Sequence, residues 1–73
     1  MIQEGKSGYY VLAGTVVIRT TRRAVLLRCD GEYQQPELWV PRSVCVGGEE
    51  LDLDDEDIEI KKWWVEENVE LDL

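Results

Sequence analysis

Tyr9-Tyr10-Val11-Leu12-Ala13-Gly14-Thr15-Val16-Val17-Ile18-Arg19 decides the fold. The stretch is crowded with β-branched and aromatic residues and has no helix-capping logic, so it reads as one long strand. Gly14, lacking a side chain, marks a bulge or a corner within it. Working outward, Arg19-Thr20-Thr21-Arg22-Arg23 is a polar connection, and Ala24-Val25-Leu26-Leu27-Arg28-Cys29 is a second strand with Val25, Leu27 and Cys29 on one face. Asp30-Gly31 is a turn signal.

Leu38-Trp39-Val40 is a short third strand stopped by Pro41, which cannot donate to a ladder. Trp39 is expected in the core, with Leu38 and Val40 facing the other side, because a small domain needs its largest apolar groups inside. Ser43-Val44-Cys45-Val46 reads as a 3₁₀ turn or another short strand, ended by Gly47-Gly48. Leu51 and Leu53, then Ile58 and Ile60, alternate with carboxylates, the pattern of edge strands with one wet face. The end of the chain admits two readings. Alternation from Trp63 to Leu73 fits a strand, whereas Ile60, Trp63 and Trp64 followed by Glu66 and Glu67 fit a short amphipathic helix stopped at Asn68. We expect a helical turn from Lys61 to Glu67, with Trp63 or Trp64 in the core. The tetrapeptide Glu-Leu-Asp-Leu occurs at 50–53 and again at 70–73, too short to establish a repeat.

The expected fold is therefore mostly β: a small single-domain barrel or roll, SH3- or OB-like, of about five short strands with a short C-terminal helical turn. With 73 residues the chain is one domain. A domain of this size buries only about 60% of its unfolded surface, which leaves little room for a deep catalytic cleft. No window approaches a membrane span and the N-terminus lacks the pattern of a signal peptide, so a cytoplasmic protein is expected. Cys29 and Cys45 are then expected as two thiols serving as small apolar residues.

Charge is distributed unevenly. Met1 to Cys45 holds six Lys or Arg against four Asp or Glu; Val46 to Leu73 holds two against twelve, which recovers the net charge of −8. Within residues 49–59, Glu49, Glu50, Asp52, Asp54, Asp55, Glu56, Asp57 and Glu59 place eight carboxylates in eleven positions. Such a segment repels nucleic acid and attracts basic protein surfaces. Its bland alternative is a device that keeps a small, edge-rich sheet soluble and unpaired.

Catalytic chemistry finds little support. There is no His, which removes the commonest general base and most transition-metal sites. Two cysteines make at most half of a zinc site, and Gly47-Gly48 is followed by acids that would repel a phosphate. An EF-hand loop counted from Asp52 puts Asp57 where Gly is needed and Trp63 where a bidentate Glu belongs. No enzyme, no metal and no cofactor is expected.

The string Arg23-Ala24-Val25-Leu26-Leu27, then Asp30-Gly31-Glu32, then Leu38-Trp39-Val40-Pro41-Arg42-Ser43, and later Ile58-Glu59-Ile60-Lys61-Lys62-Trp63-Trp64-Val65-Glu66-Glu67 resembles a type of small β-rich domain met in bacteriophage and other mobile-element proteins. The resemblance covers residues 22–67, and Trp39 to Ser43 is its most specific piece. It implies a small barrel-like fold and a phage or prophage setting, with no single activity to carry over. The chain departs from that type in its dense acidic insert at 49–57 and in Lys61-Lys62, where a Pro often begins the closing turn.

Two functions compete. The first is a non-catalytic, acidic protein-binding module that engages the basic nucleic-acid groove of a host defence protein by DNA mimicry, as an inhibitor of a CRISPR effector would, through the eight carboxylates of 49–59. The alternative is a single-stranded nucleic-acid binder, with Arg19, Arg22, Arg23 and Arg28, joined by Arg42 and by Tyr9, Tyr10, Tyr33 and Trp39, as a basic aromatic platform. The net charge argues against direct nucleic-acid contact. An edge strand leaves pairing with a second copy open.

Overall fold

In a computed structural model, which describes residues 1–69, β1 (Ile2–Glu4), β2 (Tyr9–Thr20), β3 (Ala24–Cys29), β4 (Glu37–Pro41) and β5 (Glu56–Lys61) form one antiparallel sheet, followed by α1 (Lys62–Asn68). The second Glu-Leu-Asp-Leu, at 70–73, and the far end of the strand reading of the C-terminus lie outside the described residues. Strand order is β1-β2-β3-β4, with β5 also on β2. Thus β2, 12 residues long, is the spine: β1 pairs with its residues 10–12, β3 with 15–20, and β5 with 9–12 and 16.

The expected bend at Gly14 is present. Between Leu12↔Ile58 and Val16↔Glu56, β2 carries three residues against one on β5, and both Gly14 (φ 81°) and Asp57 (φ 52°) adopt left-handed backbone there. A Cβ on Gly14 would also collide with the Asp30 carboxylate, so the position excludes side chains twice over.

The expected barrel does not close. After β4 the chain leaves the sheet through a 3₁₀ turn, Arg42–Val44, and its backbone meets β5 at the bridge Cys45↔Ile60 and through the Val46 N–H donated to the Glu59 carbonyl. That contact is too short to be a strand, and among the described residues the outer edge of β4 is unpaired and blunted by Pro41. The core lies on one face of the sheet: Leu12, Val17, Val25, Leu27, Val40, Ile60 and Val65 are fully buried.

Trp39 is not in this core. It is 49% exposed, whereas Val40 is 0% exposed, and Leu38 packs on the core from the same face as Val40. The cause is register: β4 sets Val40 opposite Val25 and Trp39 opposite Leu26, so the period of two turns the Trp outward. Trp64 of α1, 8% exposed, supplies the large apolar group instead, and Trp63 stays 54% exposed. The helix begins and ends one residue later than expected, and the side-chain amide of Asn68, its last residue, donates to the Trp64 carbonyl.

The alternation of Leu51 and Leu53 also misleads. Glu49 and Glu50 lie in a second 3₁₀ turn, Gly48–Glu50; residues 51–55 form a loop, and Leu53 is exposed. Asx-type bonds replace a ladder here, since the Asp52 N–H donates to Asp55 Oδ2 at 2.9 Å and the Leu53 N–H to Asp52 Oδ1 at 2.8 Å. Ile58 and Ile60 do alternate inward on β5 as expected. Among the described residues, no helix is long and apolar enough to cross a membrane.

Candidate functional site

The eight carboxylates of 49–59 follow one another along the second 3₁₀ turn, the loop and β5, and all but Glu59 are exposed. They divide by what their oxygens do. Asp52 and Asp55 fold the loop on itself. Asp57 Oδ1 accepts the Gly14 N–H at 3.1 Å, satisfying a donor that the bulge removes from the ladder. Glu59 Oε2 accepts the Lys6 N–H at 2.9 Å and holds the β1–β2 turn. The side chains of Glu49, Glu50, Asp54 and Glu56 accept no hydrogen bond from a described residue.

The segment carrying these four, from the second 3₁₀ turn through the loop to the start of β5, is fastened to the body. The Val17 N–H donates to the Asp55 carbonyl and the Asp54 N–H to the Val17 carbonyl, both at 2.9 Å. Arg42 clamps it from the other side: Nη1 donates to the carbonyls of Gly48 (2.8 Å) and Leu51 (2.9 Å), and Nε to that of Thr21 (2.9 Å). A Cβ on Gly48 would strike the Arg42 backbone, so the glycine is what lets the two segments approach. Arg42, expected on a basic platform, therefore works as a bracket for the acidic loop.

Below the loop is a hollow of about 380 Å³ lined by Glu50, Asp55, Glu56, Asp57 and Glu59 with the apolar Leu51 and Ile58. Among the described residues, no three acids or thiols are placed to hold a metal ion.

The arginines of the alternative reading are split. Arg19 shares a cross-strand row with Leu26 and Trp39 on the outer sheet face, and Arg28 lies in the next row between Val16 and Glu37. Arg22 and Arg23 sit beyond them at the tip of the β2–β3 hairpin. Among the described residues the ion pairs are Met1 amino with Glu32 and Lys62 with Glu4, so no arginine is neutralised by a carboxylate.

The tyrosines do not join this face as a platform. Tyr9 and Tyr10 stand at the far end of β2 under Lys6 and Lys62, with ring-to-cation distances of 5.3 and 5.0 Å. The Tyr33 hydroxyl donates to the Ala13 carbonyl at 2.6 Å, and burial first, then Asp30, pushes its ionisation well up.

Both thiols are free and buried, as expected. Burial lifts Cys45 to about 11 against an opposing pull from Arg42, and burial followed by Asp30 lifts Cys29. Protonated at neutral pH, they behave as small apolar groups.

Compared with family models, with curated proteins and with solved structures, the chain matches none. The likeness to small mobile-element domains rests on the residues quoted for it alone.

Proposed function

We propose that this chain is a non-catalytic binding module that presents Glu49, Glu50, Asp54 and Glu56 to a basic, nucleic-acid-binding groove on a partner protein. One observation carries the reading: the acidic segment is fastened through Val17 and Arg42, while these four carboxylates accept no hydrogen bond among the described residues. A flexible acidic tail would serve solubility equally well and needs no such anchoring. Fixing the charges in advance reduces the ordering entropy lost on binding, and like-signed carboxylates on a rigid frame stand where phosphates would otherwise dock. From the phage-type resemblance we take the partner to be a bacterial host defence protein, for which a CRISPR effector nuclease is one candidate. The test is competition: the chain should displace duplex DNA from its partner, and the variant Glu49→Gln, Glu50→Gln, Asp54→Asn, Glu56→Gln should not.

A second reading has its own observation, the half-exposed Trp39 on the outer sheet face that also carries Arg28 and, across Leu26, Arg19. An exposed aromatic ring on a face that carries arginines is a stacking platform for a single strand. Titration with oligonucleotides separates the two. The first reading predicts no measurable binding near physiological salt; the second predicts salt-sensitive binding that is lost in Trp39→Ala.

A further inference from the structure

Beside the hairpin tip lies a cleft of about 870 Å³, lined by Thr21, Arg22, Arg23, Arg42, Ser43 and Glu49 with Pro41, Cys45 and Gly48. Three guanidiniums against one carboxylate give it a local charge of about +2 inside a chain of −8. The volume is in the range of small-ligand sites, about 300 to 1,000 Å³.

We propose that this cleft binds the phosphate group of a small phosphomonoester such as a nucleoside monophosphate. Arg42 is the fixed part. Its Nε and Nη1 are held by three carbonyls, which leaves the Nη2 hydrogens without an acceptor among the described residues. Arg22 and Arg23 supply the other two guanidiniums, exposed and bonded to no described side chain or carbonyl. The hairpin beneath them is rigid, since the Thr21 N–H and hydroxyl both donate to the Ala24 carbonyl and the Thr21 hydroxyl also accepts the Ala24 N–H. The Arg42 N–H, donated to the Arg23 carbonyl at 2.8 Å, ties the hairpin to the opposite wall. Guanidiniums converging from two walls suit the bidentate recognition of phosphate oxygens, with the exposed Ser43 hydroxyl as a further donor.

The global negative charge does not forbid this. The molecule extends 32 × 26 × 18 Å, whereas charges are screened over about 8 Å at physiological ionic strength. Glu49 on the rim works against a long polyanion but leaves room for one compact group. Pro41, which lines the cleft, shares the outer sheet face with Trp39 two residues away, which makes that ring the aromatic surface a nucleotide base would meet outside the cleft.

The experiment is titration of the full chain with inorganic phosphate, with AMP and with adenosine, followed by backbone and arginine Nε NMR shifts. Expected are saturable shifts at 21–24, 41–43 and 48–49 with phosphate and with AMP, extended to Trp39 only with AMP, and none with adenosine. Tighter binding of AMP than of phosphate assigns the base to Trp39; equal binding assigns the site to phosphate alone. Arg22→Ala combined with Arg23→Ala should weaken binding by about tenfold or more, the loss of at least one charge-assisted hydrogen bond. The proposal is overturned by shifts that are absent or unsaturable, by an unaffected double variant, or by an oligonucleotide lacking a terminal phosphate that binds as tightly as AMP. The variant that neutralises Glu49, Glu50, Asp54 and Glu56 should still bind phosphate, so this proposal and the acidic-module reading fail separately.

Discussion

Trp39→Ala and Trp64→Ala should have opposite fates. Trp64 is 8% exposed in the cluster formed by Leu12, Val44, Ile60 and Val65, and truncating a buried Trp costs about 3–5 kcal/mol. A domain this small seldom has more than about 3–5 kcal/mol in total, so Trp64→Ala should be unfolded at 25 °C. Trp39 is about half covered, chiefly against the outer sheet face at Leu26. An aromatic side chain offers roughly 150–250 Å², so about 100 Å² returns to water on truncation, worth about 2.5 kcal/mol at 25 cal/mol/Å². Residual burial in the denatured chain lowers that to about 1–2 kcal/mol. With a urea slope of about 1 kcal/mol/M, the Trp39→Ala midpoint should fall by about 1–2 M while far-ultraviolet circular dichroism in water stays that of the parent. Urea titrations of the two variants decide the matter. A Trp39→Ala variant as unfolded as Trp64→Ala would refute the register that sets Val40, and not Trp39, on Val25.

The committed and uncommitted acids should separate by stability. Asp57→Ala removes the acceptor for the Gly14 N–H and puts Ala at positive φ, for a loss of about 1–2 kcal/mol in thermal or urea unfolding, whereas Asp57→Asn should recover most of it and Glu56→Gln should change stability by less than about 0.5 kcal/mol. Stability should also decline with alkali. Burial raises the folded pKa of Cys45 from 9.0 to about 11, so between these values the unfolded chain sheds the proton first and unfolding is favoured as pH rises. The stabilisation is complete below pH 9 and is lost by about pH 11, on the order of 2 kcal/mol; Cys29 acts in the same direction, as does Tyr33 above pH 10. Cys45→Ala should flatten the urea midpoint between pH 9 and 11, and an unchanged slope in that variant would place the effect elsewhere.

Much of the sheet could be read from composition, because β2 and β3 carry the β-branched density that a pleated, half-buried surface favours, and Gly14 interrupts it where a Cβ cannot stand. Trp39 could not. Leu38-Trp39-Val40 is apolar throughout, so no polar residue fixes the phase of the alternation, and the partner strand decides it. Barrel closure failed for a related reason: Arg42–Val44 winds into a 3₁₀ turn where strand pairing was needed, leaving one bridge at Cys45. The acidic run was visible, but its division was not. Asp57 finds Gly14 across 43 residues and Glu59 finds Lys6 across 53, separations that no local pattern reports. Arg42 looked like one more surface cation because a guanidinium that brackets three carbonyls has the same letter as one that meets solvent.

The most direct test of the acidic-module reading is the affinity of the partner, recovered from bacterial lysate and eluted by duplex DNA, for the parent and for Glu49→Gln, Glu50→Gln, Asp54→Asn, Glu56→Gln at low and physiological salt. The reading predicts an unfolding midpoint close to the parent's, an affinity loss of about tenfold or more at low salt, carried mainly by slower association, and a flatter salt dependence. A folded variant that binds as tightly as the parent at both salt concentrations would contradict it and leave the four carboxylates as a solubility device.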